Sequence, residues 1–316
     1  MYYLGIDLGG MSIKAGICDE EGRIILKDSC PTVRTEDGDR IINDMAALCL
    51  KVIKDAGLEV KDIAYAGIAT PGSADSDAGV VIYAATLPFL NYPVAEKLSE
   101  KTGIKKIYID NDANAAAKGE AIFGAAKGYK DSLFITIGTG VGGGIIIDGK
   151  VYTGFNFSGA ELGHTVIVKD GRDCPCGRKG CLECYASASG LIMLTKEEML
   201  KNKKSVMWEL CGGHIDKVDG KTAFDAMRAG DKSGKAVVDE YISYLACGIT
   251  NFINIFQPEV LSIGGGISKE GETLLAPLRE IVGREQYSRH SKKQTQIKIA
   301  ALGNDAGIIG AAALGK

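Results

Sequence analysis

His164, Cys174, Cys176 and Cys181 fall within one short stretch, HTVIVKDGRDCPCGRKGCLEC (164–184). One imidazole and three thiols make the donor set of a tetrahedral, closed zinc site. Cys174-x-Cys176 with Gly177 and Gly180 forms a tight knuckle, and Cys181 returns the chain to the same point. Four protein ligands leave no open coordination position, so zinc here is expected to be structural. Cys184 is spare in this count, and reactive or incidental cysteines are the competing reading. The chain carries nine cysteines, an odd total. Its start, MYYLGIDLGG, has neither a basic opening nor an apolar run before a cleavage site. A cytoplasmic location with reduced thiols is therefore expected, which disfavours a disulfide knot.

Two glycine turns hold the next chemistry, DLGG (7–10) and GTGVGGG (138–144). Without a Cβ, their backbones can approach a ligand closely and turn amide N–H groups onto phosphate oxygens. Neither has the Gly-Lys-Ser/Thr ending of a Walker loop, and both lead into strands. Tight β-turns alone are the plainer reading, but two similar hairpins in matching positions favour phosphate. Asp7 is a carboxylate suited to Mg²⁺ beside those phosphates, or else a turn cap. SIGGGIS (262–268) is a third turn, where the adenosine of a nucleotide commonly packs.

DND (110–112) sits where a strand ends and a helix begins. Capping explains such residues. So does a carboxylate that accepts the proton of a substrate hydroxyl as it attacks phosphorus, help worth roughly 10²–10⁴-fold. Asn91, Glu161 and Glu183 are candidates to join it around a polyhydroxylated ligand. Each hydroxyl of such a ligand needs partners, and an unmade buried bond costs about 1–3 kcal/mol. Glu161 and Glu183 flank the zinc ligands, so one metal could fix both.

The elements that must hold these groups read as a duplicated plan. YYLGID, SIKAGICD and RIILKDSC are β-rich runs, and apolar residues from Ile41 to Ile53 keep helical spacing. IAYAGIAT (63–70) and KIYID (106–110) are strands, the second running into an Ala-rich helix over 111–126. Strand, glycine turn, strand then restarts at DSLFITIGTGVGGGIIIDGKVY (131–152). Helices are expected around 189–201, 222–229 and 234–256, then a strand at 259–266 and a closing helix at 305–315. The pattern is that of a ribonuclease-H-like half, repeated.

Composition excludes other classes. With 316 residues, 46% hydrophobic and 24% charged, the chain has length for about two domains and an ordinary core. Its formal net charge is −3. Its densest basic stretch, KEEMLKNKKS (196–205), also holds two Glu and reads as a solvated helix face, so no nucleic-acid partner is expected. No run of about 18 apolar residues marks a membrane span.

Together these residues resemble the ROK family of repressors, open reading frames and kinases, and within it bacterial ATP-dependent glucokinases. The resemblance runs through GIDLGG, TPG (70–72), NDANAAA (111–117), GTGVGGG, GAELGH, CPCGRKGCLECYAS and SIGGGIS, essentially the whole chain. It implies an α/β, actin/hexokinase-like fold of two lobes about a cleft: 1–115 with the C-terminal helix about 303–316, and 116–302 with the zinc loop 164–184. By motif position it implies Asp112 as the base taking the proton of a sugar 6-hydroxyl. Asn91, Asn111, Asp112, Glu161, His164 and Glu183 would bind the sugar, His164 serving zinc as well. Asp7, Gly9, Gly10, Thr139 and Gly140 would surround the phosphates and Mg²⁺ of ATP, with Gly265 and Gly266 near the adenosine. A homo-oligomer, a dimer, is implied too.

The family usually has Thr after the first Gly-Gly, whereas this chain has Met11, which removes a hydroxyl that Ser12 or Thr139 would have to replace. A kinase for N-acetylmannosamine, N-acetylglucosamine, allose or fructose shares these motifs. A non-catalytic sugar-binding protein does not need Asp112. A repressor of the family carries a DNA-binding segment ahead of GIDLGG, which here starts at residue 5.

Overall fold

The computed structural model describes residues 1–33 and 36–316. They form two compact units. One comprises Met1–Phe134, Gly144–Ala160 and Ala300–Lys316; the other comprises Ile135–Gly143 and Glu161–Ile299.

In the first unit, β1 (Tyr2–Leu8) and β2 (Ser12–Cys18) form the first glycine hairpin, and β3 (Ile24–Pro31) continues it. Helix α1 (Gly38–Asp55) follows, then β4 (Ile63–Thr70). A meander of β5 (Ser73–Asp75), β6 (Val80–Tyr83) and β7 (Leu90–Tyr92) precedes α2 (Val94–Thr102). Next come β8 (Ile107–Asn111) and α3 (Asp112–Phe123). The main sheet runs β3-β2-β1-β4-β8, with β1, β4 and β8 parallel. Their carboxyl ends, at Leu8, Thr70 and Asn111, therefore point the same way.

Period-two alternation divides β1 between two layers. Leu4, Ile6 and Leu8 join Ile41, Ile42, Met45, Cys49 and Val52 of α1 in one core. Tyr3 faces the C-terminal helix Ala306–Ala313, packing with Ile308, Ile309 and Ala312. Glycine makes that second contact possible. A Cβ on Gly5 would lie 2.0 Å from the Ile308 carbonyl oxygen, and one on Gly67 would lie 1.8 Å from that of Ala311. Helix α3 meets the same helix through Gly119, whose Cβ would be 2.9 Å from the Gly310 Cα. The fully buried Glu120 accepts backbone N–H groups of Ala125, Ala301 and Leu302 at 2.7, 3.0 and 2.8 Å. These contacts keep all of α3 in the first unit, whereas the lobe boundary expected at 115/116 cuts through it.

A second five-stranded sheet has the order β11-β10-β9-β12-β13. Its strands are β9 (Ser132–Ile137), β10 (Val141–Ile147), β11 (Lys150–Val151), β12 (Val260–Gly265) and β13 (Gln296–Ile299). The helices of the second unit are α4 (Glu183–Ala186), α5 (Ala188–Lys201), α6 (Met207–Leu210), α7 (Thr222–Arg228), α8 (Lys232–Phe256) and α9 (Glu272–Glu285). Helix α8 is its spine, burying Val237, Tyr241, Leu245, Ile249 and Phe252. The stretch 196–205 is only partly the helix face its charges imply. Helix α5 ends at Lys201, Asn202 bonds Ser233, and Lys203 lies over the Trp208 ring.

Candidate functional site

Two of the predicted residues, Asn111 and Asp112, stand beside Asp110 where β8 gives way to α3 in the first unit. Asn111 caps α3, its Oδ1 accepting N–H from Ala113 at 2.9 Å and Asn114 at 3.3 Å. Its Nδ2 donates to the Gly72 carbonyl at 3.0 Å, tying the Thr70-Pro71-Gly72 turn to the cap. The two aspartates beside it divide. Asp110 is buried, accepts from the Asn111 amide and Asn114 Nδ2, and has its pKa raised by that burial. Asp112, the first residue of α3, is exposed, with one carboxylate oxygen 2.8 Å from the Ala113 amide.

Asp7, one residue before the end of β1, lies opposite Lys14 in the hairpin register, and the ammonium reaches its carboxylate at 2.8 Å. Sequence reasoning passed over Lys14; its signal is an opposite charge directly across a short hairpin. Gly307, in the first turn of the C-terminal helix, lies so close that a Cβ there would be 2.6 Å from the Asp7 Cγ. Gly9 closes the turn by donating to the Ser12 carbonyl at 2.9 Å. Gly10, Met11, Thr32, Thr86 and Leu87 line a cavity of about 580 Å³ in this unit. The Met11 side chain is 80% exposed. Thr86, which sequence reasoning did not single out, sits beside Gly10, whose added Cβ would be 3.4 Å from its Oγ1. Asn91 lies in β7, exposed, with φ +49°.

In the second unit, the other glycine hairpin rests on Glu183. Its Oε2 accepts the Val141 amide at 2.9 Å and would lie 2.1 Å from a Cβ on Gly140. The hairpin is also pinned to α5: Ala188 N–H donates to the Gly138 carbonyl and Ser189 Oγ to that of Thr139. Thr139 itself is exposed. Gly265 leaves β12 with φ +85°, and a Cβ there would be 2.3 Å from the Ile137 carbonyl oxygen. Gly266, by contrast, has open space where a side chain would stand.

His164, Cys174, Cys176 and Cys181 converge in this unit, their ligand atoms all within 4.8 Å of one another. Cys174 Sγ is 3.5 Å from His164 Nδ1, and Cys176 Sγ is 3.7 Å from Cys181 Sγ. His164 Nε2 thus remains on the other edge of the ring, 3.9 Å from the Glu161 carboxylate. Burial and the neighbouring thiols push Cys181 up to about 12, while the Arg178 backbone N–H lowers Cys176. Crowded thiols resist ionising together, and a divalent cation among them removes that penalty. Cys184 is outside that quartet, although its thiol reaches Cys174 as well as the Asp173 carbonyl. Arg172 straps the loop down, with paired bonds to Glu197 at 2.9 and 2.8 Å and another to the Cys184 carbonyl. Gly180 has φ +78° and passes so near the Val168 carbonyl that no Cβ fits.

A model of the ROK family matches residues 3–316. The chain is 38% identical over 313 residues to a glucokinase of Thermotoga maritima, an alignment covering 98% of this chain and 96% of that protein. A glucokinase of Halalkalibacterium halodurans is 37% identical over 310 residues, with 98% and 93% covered. The structure of a ROK family glucokinase from Streptomyces griseus, in complex with glucose and AMPPNP, matches with a TM-score of 0.83 at 33% identity, covering 99% and 98% of the two chains. The α/β fold is accordingly actin/hexokinase-like. From the glycine hairpin at residue 7 to the closing helix, the match is continuous, and the chain belongs to the ROK family.

Proposed function

We propose that the protein transfers the γ-phosphoryl group of ATP to the 6-hydroxyl of a hexose, glucose first among them. It is a sugar kinase, a phosphotransferase with an alcohol group as acceptor. Asp112 is the observation that carries the reading. It is the exposed carboxylate of the pair, and it stands at a helix start fixed by the Asn111 cap. As the sugar O6 forms its bond to phosphorus and the bond to the ADP oxygen breaks, Asp112 takes the hydroxyl proton. Asn91, Asn111, Glu161, His164 and Glu183 bind the other hydroxyls. The Asn111 amide keeps one N–H beyond that spent on Gly72, and Glu183 keeps one carboxylate oxygen beyond that held by Val141.

The hairpins at Gly9, Gly10, Thr139 and Gly140 receive the phosphates, and Gly265 and Gly266 lie by the adenosine. Mg²⁺ bound with ATP neutralises charge developing on the phosphate oxygens, and Asp7 is the carboxylate offered to it. The metal at His164 and the three cysteines is zinc. With bonds of about 2.3 Å to sulfur and 2.0–2.1 Å to nitrogen, tetrahedral edges come to about 3.8 and 3.5 Å. The separations of 3.7 Å between Cys176 and Cys181 and 3.5 Å between Cys174 and His164 fit those edges. A reduced-thiol site of this kind suits a cytoplasmic protein. No described helix is long and apolar enough to cross a membrane. A homodimer is the assembly we propose.

The test is an ATP/Mg²⁺ assay of the purified protein over glucose, mannose, fructose, allose, N-acetylglucosamine and N-acetylmannosamine. Glucose should give the highest kcat/KM. A higher value for an N-acetylhexosamine would reassign the substrate, and no turnover of any sugar would remove the kinase reading.

A further inference from the structure

Asn91 is an asparagine at φ +49° on a strand of three residues, and what surrounds it is unusually well anchored. The next residue, Tyr92, stacks on the buried Phe89 with ring centroids 4.8 Å apart and planes at 25°. Its hydroxyl donates to Asp39 Oδ1, in the first turn of α1. The same oxygen accepts from Lys97 Nζ of α2 at 2.7 Å, and that ammonium lies 5.2 Å from the Tyr92 ring centroid. Three elements thus meet on one phenol. Gly38 permits the approach of the fourth side, since a Cβ there would lie 2.9 Å from Tyr92 Cε2 and 3.0 Å from Phe89 Cε1. Burial and the Asp39 carboxylate both raise the Tyr92 pKa, so it stays a donor at neutral pH.

A left-handed backbone is tolerated by Asn but persists only where its surroundings fix it. The β6–β7 pairing of Tyr83 with Leu90 and Val81 with Tyr92 holds the backbone on either side, but the Leu90 side chain is 72% exposed and packs nothing against Asn91's strand. Of the two side chains that flank Asn91, Tyr92 is the anchored one, one peptide away.

We propose that Tyr92, held by Asp39 and Lys97, is a positioning residue for the sugar: it acts through Asn91, setting the direction of that side chain, and touches no substrate itself. The proposal rests on Asn91 being a sugar contact.

The experiment measures kcat and both Michaelis constants for Tyr92→Phe, Asn91→Ala and the double variant, with Asp39→Asn and Asp39→Leu beside them. Tyr92→Phe keeps the ring on Phe89 and loses only the hydroxyl. It should raise KM for glucose about 5- to 10-fold, the worth of one such hydrogen bond, with KM for ATP and kcat within about twofold. The double variant should have the glucose KM of Asn91→Ala, because a residue acting through Asn91 has nothing left to position. Asp39→Asn keeps an acceptor for the phenol and should behave nearly as the native protein, whereas Asp39→Leu should match Tyr92→Phe. Additive effects of the two single changes would overturn the proposal, as would a normal glucose KM in Tyr92→Phe while Asn91→Ala is impaired. A normal glucose KM in Asn91→Ala would remove Asn91 from the sugar site, and the positioning role with it. Circular dichroism melts on each variant separate a KM effect from loss of fold.

Discussion

Asp110 and Asp112 differ in nothing that a sequence displays, yet one peptide step beyond the end of β8 separates a buried carboxyl from an exposed one. Asp112→Asn keeps the acceptor for the Ala113 amide and loses the ability to take a proton. It should lower kcat at least about 10²-fold, with glucose KM and melting temperature near native; turnover like that of the native enzyme would dismiss Asp112 as the base. Asp110 should act on stability instead. Its folded pKa lies above its unfolded one, so the folded state holds the proton more tightly. That contribution is complete below the ordinary carboxylate pKa, about 3.9. It is lost as pH rises through the raised folded value. The difference in unfolding free energy between native protein and Asp110→Asn, followed by urea titration from pH 3.5 upwards, should therefore move in favour of the variant as pH rises. A flat difference would show that Asp110 does not titrate with folding. The motif pointed to this stretch of three residues; the difference in burial between its two carboxylates was not legible in it.

At the scale of the element, the ligand quartet was legible because its chemistry is in its residue types: three thiols and an imidazole at close spacing admit few alternatives. The glycine hairpins were legible for a similar reason. The meander β5–β7 was not, since strands of three or four residues are too short to display a period, and Pro88 interrupts the run. Helix α2 was missed likewise, at nine residues. The metal loop carries a prediction of its own. Cys176→Ser should lose the metal by elemental analysis and raise KM for glucose more than KM for ATP, because His164 lies on the loop and Glu161 and Glu183 flank it. A metal-free native protein with full activity would refute the structural role, and a normal glucose KM in a metal-free variant would cut the link to sugar binding. The helix contact carries another. Gly67→Ala places a Cβ against the Ala311 carbonyl, 1.8 Å away, where backbone rather than a movable side chain must yield. Overpacking there should cost at least about 2 kcal/mol, read as a lower urea midpoint at unchanged slope.

Across the whole molecule, the first unit is assembled from three separate lengths of chain, the last being Ala300–Lys316. Charge and composition carry no trace of that arrangement, since a closing Ala/Gly-rich helix reads the same wherever it docks. Deleting 300–316 should therefore do more than shorten a terminus. It uncovers Gly5 and Gly67 on the sheet, removes the partner of Gly119 on α3, and takes away two of the three N–H groups bound by the buried Glu120. The truncated chain should be insoluble or lack a cooperative thermal transition; soluble, active protein would contradict the account.

That same docking gives the protein a timetable. The strands that begin its sheet leave the ribosome long before the helix that covers them is synthesised. At roughly 5–20 residues per second, β1 and β4 wait on the order of ten seconds or more with one glycine-lined face uncovered. The first unit cannot finish folding until that helix has been made. During that wait its best protection is whatever in the cell binds a bare sheet.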